Sequence, residues 1–363
     1  MMEYLAYAAV AYLALRLLVI LVNQFSGTEM TISPGSSSKT VSALIPARNE
    51  EENIGRLLDD LSASEYPHLR IFVYDDESED RTADIVIEKS RMDDRIILIR
   101  GRIPGPGWLG KNHGCARLAE AAVGDYFLFI DADVRVSKTL INSAVQSMEQ
   151  HQLALLSIFP VQMMNSTGEW LTVPLVNRIL VANLPLCLVN RSYIQAFSAA
   201  NGQFMMFKAD VYRLHRFHER FSDEKVEDIR IIRFMKSLRL PVRTLLSDGQ
   251  IKCRMYRGFG DSMNGFAKNI HAFFGRNWLI LFVYVILTTT GPFATWNTFG
   301  FTGLIFYLSG LILFSILVSL QSKQPVWRNL LLMPFQQVIV VMIAFLAAFR
   351  HSTGTLKWKG RRV

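Results

Sequence analysis

The stretch YFLFIDAD, residues 126–133, decides the fold that we expect. Its apolar run is typical of a strand buried on both faces, and two aspartates follow it at once. Similar short apolar runs occur at 41–45, 71–74, 96–99 and 154–159, and segments with helical periodicity separate most of them. Strands that alternate with helices predict a mostly parallel sheet in an α/β domain, covered by helices on both faces. Ligands of such sheets bind beyond the carboxyl ends of the strands, so the polar residues found there are the candidates for chemistry.

Two pairs of aspartates follow predicted strands. Asp131 and Asp133 could share a hard divalent cation and leave coordination positions open for phosphate oxygens. Asp75 or Asp76 could accept a hydrogen bond from a nucleobase N–H group. Each pair also has a purely structural alternative. The first pair could be a helix cap with a solvated turn, and the second could be an acidic turn in which Ser78 caps the next helix.

The first strand leads into PARNEE, residues 46–51. Asn49 is expected to cap a helix whose apolar positions, from Ile54 to Leu61, follow the spacing i, i+3, i+4, i+7.

The segment from Gly105 to Lys111 fits the G-x-x-x-x-G-K pattern of a P-loop, so a membrane ATPase is one alternative. Position 112 is asparagine, however, where a P-loop carries the Ser or Thr that ligates the metal. Pro104 and Pro106 also remove backbone N–H groups that a phosphate-binding loop needs. The loop could still approach phosphates, with Lys111 acting as a point charge.

Two charged motifs follow later in the chain. Glu227 and Asp228 open a predicted helix, where acids are favoured by the helix dipole and where one could also act as a general base. Arg254 and Arg257 could clamp a pyrophosphate leaving group, or they could form a basic surface that faces a membrane.

Composition excludes a disordered or fibrous chain. Of 363 residues, 50% are hydrophobic and 19% charged, and the net charge is +8. The three cysteines, Cys115, Cys187 and Cys253, are far apart, which argues against a disulfide framework or a thiolate zinc site and favours a reducing compartment. His215 and His218 have no third ligand nearby, so we expect them to be surface histidines.

Apolar segments at both ends predict a membrane protein. Tyr4–Val22 has about the 20 residues needed to span a bilayer and indicates a retained anchor. Three further apolar stretches follow at 278–293, 299–320 and 330–349. An N-terminus without basic residues should lie outside, whereas the middle section and the basic tail should lie inside. Three further full crossings would leave the tail outside, so we expect one stretch, 330–349, to be re-entrant or interfacial.

The predicted organisation has five parts. An N-terminal transmembrane anchor (1–25) and a linker (26–40) precede a cytoplasmic catalytic domain (41–275), which is followed by a membrane region with two or three apolar segments (276–350) and a basic tail (351–363).

Taken in order, PARNEE, DDESED (75–80), the Asp-Ala-Asp run, the Glu-Asp pair and Arg-Met-Tyr (254–256) resemble the family 2 glycosyltransferases of the GT-A fold. The resemblance extends from about Val41 to Met255. The loop Gly107-Trp-Leu-Gly-Lys111 and the tail Trp358-Lys-Gly-Arg361 are similar to the membrane-bound branch that contains the 4,4'-diaponeurosporenoate (carotenoid) glycosyltransferases. Hopanoid-linked and other lipid glycosyltransferases look similar too.

This resemblance implies roles for individual residues. The nucleoside would be lined by Pro46, Arg48 and Glu50, and Asp75 or Asp76 would read the uracil edge. Asp131 would lie near the ribose and the metal, Asp133 would bind Mg²⁺ or Mn²⁺ directly, and Asp228 would be the base, next to Glu227.

The resemblance also implies an inverting transfer from a nucleotide-sugar, as a guess UDP-glucose, to a lipid acceptor at the cell membrane. Many processive relatives carry Q-x-x-R-W, whereas Arg257 is followed by Gly258, which favours transfer of a single sugar. A carotenoid or other isoprenoid lipid is the expected acceptor, with hopanoids, glycerolipids and sphingolipids as alternatives. The presence of a base mildly favours a hydroxyl acceptor, because a carboxylate acceptor is already ionised. A binding protein without turnover remains a third possibility, and nucleic acid is not an expected partner.

Overall fold

A computed structural model describes residues 1–32, 37–353, 357–358 and 361–362. Parts of the predicted linker (33–36) and of the predicted basic tail lie outside the described residues. The chain forms two compact units, which we call the sheet unit (28–161 and 188–254) and the helical unit (1–27, 162–187 and 255–363). Residues 162–187 and 255–275, which the sequence-based division places in the catalytic domain, fall in the helical unit.

The chain contains the following strands and helices within its described ranges. The strands are β1 (Val41–Ala47), β2 (Leu69–Asp75), β3 (Ile96–Arg100), β4 (Tyr126–Ile130), β5 (Val134–Val136), β6 (Leu155–Phe159), β7 (Val161–Gln162), β8 (Phe204–Lys208), β9 (Val242–Leu246), β10 (Ile251–Cys253), β11 (Lys357–Trp358) and β12 (Arg361–Arg362). The helices are α1 (Met2–Phe25), α2 (Ile54–Ser62), α3 (Thr82–Ser90), α4 (Gly110–Ala121), α5 (Leu140–Gln150), α6 (Thr167–Thr172), α7 (Pro174–Asn183), α8 (Leu186–Arg191), α9 (Ala209–His215), α10 (Phe217–Arg220), α11 (Glu227–Ser237), α12 (Gly258–Phe273), α13 (Trp278–Gln321) and α14 (Val326–Thr353).

The sheet unit is built on a seven-stranded sheet in the order β3-β2-β1-β4-β8-β6-β9. All of its pairings are parallel except those of β8, which runs antiparallel to β4 and β6. Every residue of the YFLFI strand is buried, as its apolar run predicts. Because β8 is reversed, its start at Phe204 pairs with Ile130 at the end of β4. The residues that precede β8 therefore lie at the same sheet edge as the aspartates that follow β4.

The loops after β1 and β2 hold each other by hydrogen bonds. Asn49 has a left-handed backbone (φ 53°), its N–H donates to Ser78 Oγ over 3.0 Å, and its side-chain oxygen accepts from Glu79 N over 2.9 Å. The predictions that Asn49 and Ser78 cap helices are therefore wrong, since the neighbouring loop takes up both side chains. The two helices begin later, at Ile54 and Thr82.

A short antiparallel ribbon brings a later segment beside the DAD run. β5 pairs with β10, and Val134 lies opposite Cys253. Cys253 is therefore held next to Asp133, and Arg254 follows directly.

His218 is buried, so the prediction that it lies at the surface is wrong. Its Nδ1 is 2.8 Å from Tyr212 Oη, and its ring centroid is 4.5 Å from that of Phe129. Burial lowers the pKa of His218 to about 4, so the ring is neutral and forms part of an aromatic core.

In the helical unit, α13 is a hairpin rather than one straight helix. Its backbone departs from helical geometry at Gly300 (φ 64°, ψ −161°). The Arg16 guanidinium lies over the rings of both Tyr284, at 5.6 Å, and Phe314, at 4.0 Å. In a straight helix these two rings would be about 45 Å apart along the axis. The halves 278–299 and 301–321 therefore run antiparallel.

Both ends of α14 lie at the open end of this hairpin. Near its start, Asn329 Nδ2 donates to Ser319 Oγ over 3.0 Å, and near its end the His351 ring lies 5.4 Å from that of Trp278. Helices α1, α13 and α14 are each long and apolar enough to cross a membrane. Helix α14, however, begins and ends on the same side of the α13 hairpin. A re-entrant segment at 330–349, as predicted from the sequence, requires this arrangement.

Candidate active site

A single lysine joins the carboxylates at the carboxyl end of β4. Lys111 Nζ lies 2.9 Å from Asp131 Oδ1 and 3.3 Å from Glu227 Oε1. Lys111 comes from the first turn of α4, Asp131 from the end of β4, and Glu227 from the first turn of α11. The Lys111 side chain keeps 40% of its exposure, so a ligand can reach this cluster.

The lysine sets the charge of its two partners. Desolvation opposes charge on Lys111, but Asp131 and Glu227 raise its pKa well above the usual value. Burial would raise the pKa of Glu227, yet Lys111 outweighs this and the pKa is lowered. Desolvation raises the pKa of Asp131 in spite of the lysine. The resulting arrangement is a charged lysine beside an ionised Glu227.

Asp228 has a different environment from its neighbour. Its Oδ2 accepts a hydrogen bond of 3.0 Å from Gly202 N, and its Oδ1 accepts one of 2.7 Å from Ile229 N. Desolvation and then the charge of Glu227 raise the pKa of Asp228 to about 7. The pKa of Glu227 is thus lowered and that of its neighbour Asp228 is raised, and such a difference between adjacent carboxyl groups is typical of acid–base sites.

Asp133 is the best candidate for a metal ligand. Its Oδ1 is buried and has no hydrogen-bond partner within the part of the chain that the structure describes. Desolvation and then the charge of Asp131 raise the pKa of Asp133 to about 7, and the Cys253 thiol hydrogen-bonds to it. Among the described residues no group of three or more His, Cys, Asp or Glu side chains has the geometry of a metal site. Two carboxylates nevertheless fit Mg²⁺ or Mn²⁺, which commonly takes its other ligands from substrate phosphates and water.

The candidates for nucleoside binding lie at the ends of β1 and β2. Arg48 Nη1 is 3.6 Å from Asp76 Oδ2. Asp75 and Asp76 are both buried, and desolvation raises the pKa of Asp76 although Arg48 opposes it. The β1–β2 pairing sets Ala47 opposite Asp75, so the two loops start side by side.

The remaining predicted residues are placed as follows. Pro46 lies within β1, opposite Tyr74, and Glu50 Oε2 accepts a hydrogen bond of 2.7 Å from Asn53. Arg254 follows β10 in the sheet unit, whereas Arg257 is the N-cap residue of α12 in the helical unit. A clamp formed by both arginines therefore stays a prediction.

The P-loop interpretation of residues 105–111 gains no support. Asn112 is buried, and its Nδ2 donates to the backbone oxygens of Phe221, at 2.8 Å, and Glu224, at 3.0 Å. Leu109 N donates to Ser222 O over 2.9 Å. Residue 112 thus ties the glycine loop to the segment that leads into Glu227.

Sequence reasoning missed Gly202. A Cβ atom at this position would lie 3.1 Å from Lys111 Nζ, 3.4 Å from Glu227 Oε1 and 3.8 Å from Asp228 Oδ2. Gly202 therefore forms the floor of the charged cluster. The Asn201-Gly202 pair is a turn signal in the sequence, but only the antiparallel placement of β8 gives it a role at the site.

Comparison with known proteins identifies the fold and shows which family residues 42–185 are similar to. Residues 42–185 match the model of glycosyl transferase family 2. A mannosyltransferase from Pyrobaculum calidifontis, solved in complex with GDP-Man and Mn²⁺, superimposes with a TM-score of 0.58 and 17% identity, over 97% of this chain and 99% of that chain. The fold is the GT-A glycosyltransferase fold, and residues 42–185 are similar to the family 2 glycosyltransferase domain.

Two relatives carry the same name. A 4,4'-diaponeurosporenoate glycosyltransferase of Staphylococcus haemolyticus is 28% identical over 239 residues, which are 65% of this chain and 62% of the relative. One of Staphylococcus aureus is 32% identical over 127 residues, 34% of this chain and 32% of the relative. These matches confirm the resemblance inferred from the motifs. The alignments cover less than two thirds of each relative's length.

Replacing Gly202 by alanine should impair catalysis more than folding. The new methyl group would press on the flexible end of Lys111, so we expect the free energy of unfolding to change by less than about 1 kcal/mol. Displacing the ammonium from Glu227 and Asp131 should lower kcat at least tenfold, or about 1.4 kcal/mol. The matched control is Gly105→Ala, where nothing lies within 4 Å of the new Cβ. Equal kcat values for both variants and the unmodified protein would contradict this role.

Proposed function

We propose that the protein transfers one sugar from a nucleotide-sugar to a lipid acceptor in the membrane, with inversion at the anomeric carbon. The observation that carries the proposal is the Lys111 bridge between Asp131 and Glu227, with Asp228 in the next position of the chain. This cluster supplies positive charge and a base candidate at the carboxyl edge of a GT-A sheet. The family 2 match of residues 42–185 supports a sugar transfer.

The donor would be bound by the loops at the sheet edge. In this proposal Arg48 and Glu50 line the nucleoside, Asp75 or Asp76 reads the base, and Pro46 closes one side. Asp133 and Asp131 would hold Mg²⁺ or Mn²⁺, which when bound neutralises charge on the diphosphate. The positively charged groups offered to the departing nucleoside diphosphate are Lys111, Arg254 and Arg257.

The reaction would proceed by direct displacement. Asp228 accepts the proton of the acceptor hydroxyl as its oxygen attacks the anomeric carbon from the face opposite the diphosphate. Glu227 stays ionised because Lys111 holds it so, and its charge keeps the pKa of Asp228 near neutrality. The base is therefore able both to take up and to release a proton at physiological pH.

The proposed acceptor is a carotenoid or another isoprenoid lipid. The names of the relatives specify diaponeurosporenoate, and three helices are long and apolar enough to cross a membrane. In this proposal residues 41–275 work at the cytoplasmic face of the cell membrane. A hopanoid, glycerolipid or sphingolipid acceptor is the second candidate, because the same helices would suit any lipid.

The donor is tested by thermal stabilisation of the detergent-purified chain. UDP, UDP-glucose, GDP, GDP-mannose and ATP are compared with and without Mn²⁺. Either the uridine or the guanosine nucleotides should stabilise the protein when Mn²⁺ is present. At a ligand concentration of 100 times Kd, the gain in the free energy of unfolding should be about 2.7 kcal/mol. Asp133→Asn should lose the metal-dependent part, whereas Asp84→Asn, on the exposed face of α3, should keep it. Stabilisation by ATP alone, lost in Lys111→Ala, would instead support the P-loop ATPase.

The pH dependence of transfer tests the base. A base must be ionised, and a pKa of about 7 for Asp228 makes its ionised fraction rise about tenfold from pH 6 to pH 8. We therefore expect kcat to rise over this range and to level off above it. Asp228→Asn should lower kcat by about 10²–10⁴ and remove the pH dependence. The control is Asp223→Asn at an exposed position.

Near-full transfer by Asp228→Asn would count against the base and against a hydroxyl acceptor. A carboxylate acceptor, such as the name of the relatives implies, is ionised already and needs no proton acceptor. The pH profile of kcat therefore distinguishes a hydroxyl acceptor from a carboxylate acceptor.

Membrane topology is tested by single cysteines and an impermeant thiol reagent on intact cells. Asn297→Cys, near the closed end of the α13 hairpin, should react from outside. Lys323→Cys and Ser352→Cys, at the two ends of α14, should both be protected until the cells are opened. Labelling of Ser352→Cys in intact cells would mean that α14 crosses the membrane.

A further inference from the structure

Two buried arginines in the helical unit have no counter-ion. Arg16, on α1, is 4% exposed, and Arg178, on α7, is 6% exposed. Arg16 Nε and Arg178 Nη2 have no hydrogen-bond partner in the described part of the chain. Neither guanidinium forms an ion pair with a described residue. Aromatic rings lie over Arg16, with Phe314 at 4.0 Å, but neither guanidinium meets an anion among the described residues, and a buried charge without one is destabilising.

The helical unit has few acidic residues that could act as a counter-ion for these arginines. Its residues include 12 Lys and Arg but only three acids, Glu3, Glu169 and Asp261. Glu169 accepts hydrogen bonds from Gly258 N at 2.9 Å and Asn165 N at 2.7 Å. Asp261 accepts one of 3.0 Å from the backbone N–H of the residue that caps α12, and Glu3 lies in the first turn of α1. None of these three acids pairs with Arg16 or Arg178 in the described part of the chain, which leaves both arginines open to an anion from outside it.

The two arginines are near each other. Arg178 is within electrostatic range of both Arg16 and Tyr284, and Arg16 lies 5.6 Å from the Tyr284 ring. Tyr12 Oη donates to Asn183 Oδ1 over 2.6 Å and so ties α1 to α7. Desolvation lowers the pKa of Arg178 to about 10, which still leaves it charged at neutral pH. Helices α1 and α7 thus pack against each other, and each carries one buried arginine.

The residues around Arg16 and Arg178 indicate what kind of anion could bind between them. Arg178 lies in a helix of mostly buried apolar residues, including Ile179, Leu180 and Val181, and Arg16 interrupts the apolar stretch of α1. We propose that Arg16 and Arg178 together bind the oxyanion of an amphiphile, that is, a carboxylate or phosphate that carries a hydrocarbon chain. Guanidinium groups match carboxylate and phosphate geometry by two parallel hydrogen bonds, and basic pockets between membrane helices bind lipid head groups. This inference concerns the helical unit alone and does not depend on the proposed transfer.

The test compares probes that share one chain. Oleate, oleyl phosphate, oleyl alcohol and inorganic phosphate are titrated into the delipidated full chain in detergent, and the thermal midpoint is followed. Oleate and oleyl phosphate should half-saturate at concentrations at least tenfold below oleyl alcohol. In Arg178→Gln and in Arg16→Gln this difference should fall to less than twofold. Arg350→Gln, an arginine of α14 that hydrogen-bonds Asn264, should keep it.

A purely structural role predicts a different result. In that case both glutamine variants would lower the midpoint without ligand and leave the preference for oleate over oleyl alcohol unchanged. Our proposal predicts that the ligand-free midpoint of Arg178→Gln does not fall, because this substitution removes a buried charge that has neither an anion nor an aromatic ring as a described partner. If a glutamine variant does not fold, Arg16→Lys and Arg178→Lys keep the charge and should retain the preference. Equal binding of oleate and oleyl alcohol, or inorganic phosphate acting as well as oleyl phosphate, would overturn the proposal.

Discussion

The contact of Lys111 with Asp131 and Glu227 is the interaction on which the sheet unit's chemistry depends. It holds a carboxylate from β4 and one from α11 around a single ammonium. Without that charge, Glu227 would be a buried acid with a raised pKa, and Asp228 would no longer have an ionised neighbour. In the proposed mechanism, the carboxylates assigned to the metal and those assigned to the base are therefore linked through one cation. Asn112, one residue later, fixes the position of that cation by holding the 221–224 segment.

Five strands of the seven-stranded sheet could be predicted from apolar runs, and four of these (β1, β2, β4 and β6) are largely buried. The edge strand β3 is apolar but mostly not buried, and β8 and β9 were not predicted. The pair Asp131 and Asp133 followed from the same reasoning, since the end of a buried strand must reach the sheet edge. Lys111 was predicted to approach phosphates, but its contacts here are carboxylates. Gly202 could not be predicted as part of the site, because its role depends on the antiparallel pairing of β8, which joins residues about 75 apart in the chain.

Predictions from local sequence were wrong at two positions where a contact with a distant residue determines the structure. Asn49 has the residue type of a helix cap, yet the neighbouring loop binds its side chain. His218 lies in the charged stretch HRFHER (215–220), but the aromatic rings of Phe129 and Tyr212 pack against it. The contact of Asn49 with Glu79 and that of His218 with Phe129 both join residues at least 30 positions apart, beyond the reach of a local sequence signal.

Charge and geometry lead to the same topology for the helical unit. The basic residues after Phe349 favour a tail on the same side as the middle section, which requires an even number of crossings after that section. Each half of the hairpin at Gly300 is long enough for one crossing, and α14 has both ends at the open end of that hairpin. Pro334, Gln336 and Gln337 interrupt the apolar face of α14, which suits a helix that enters the bilayer without crossing it. By hydropathy α14 is a candidate span, whereas the contacts at its two ends favour the proposed re-entrant arrangement.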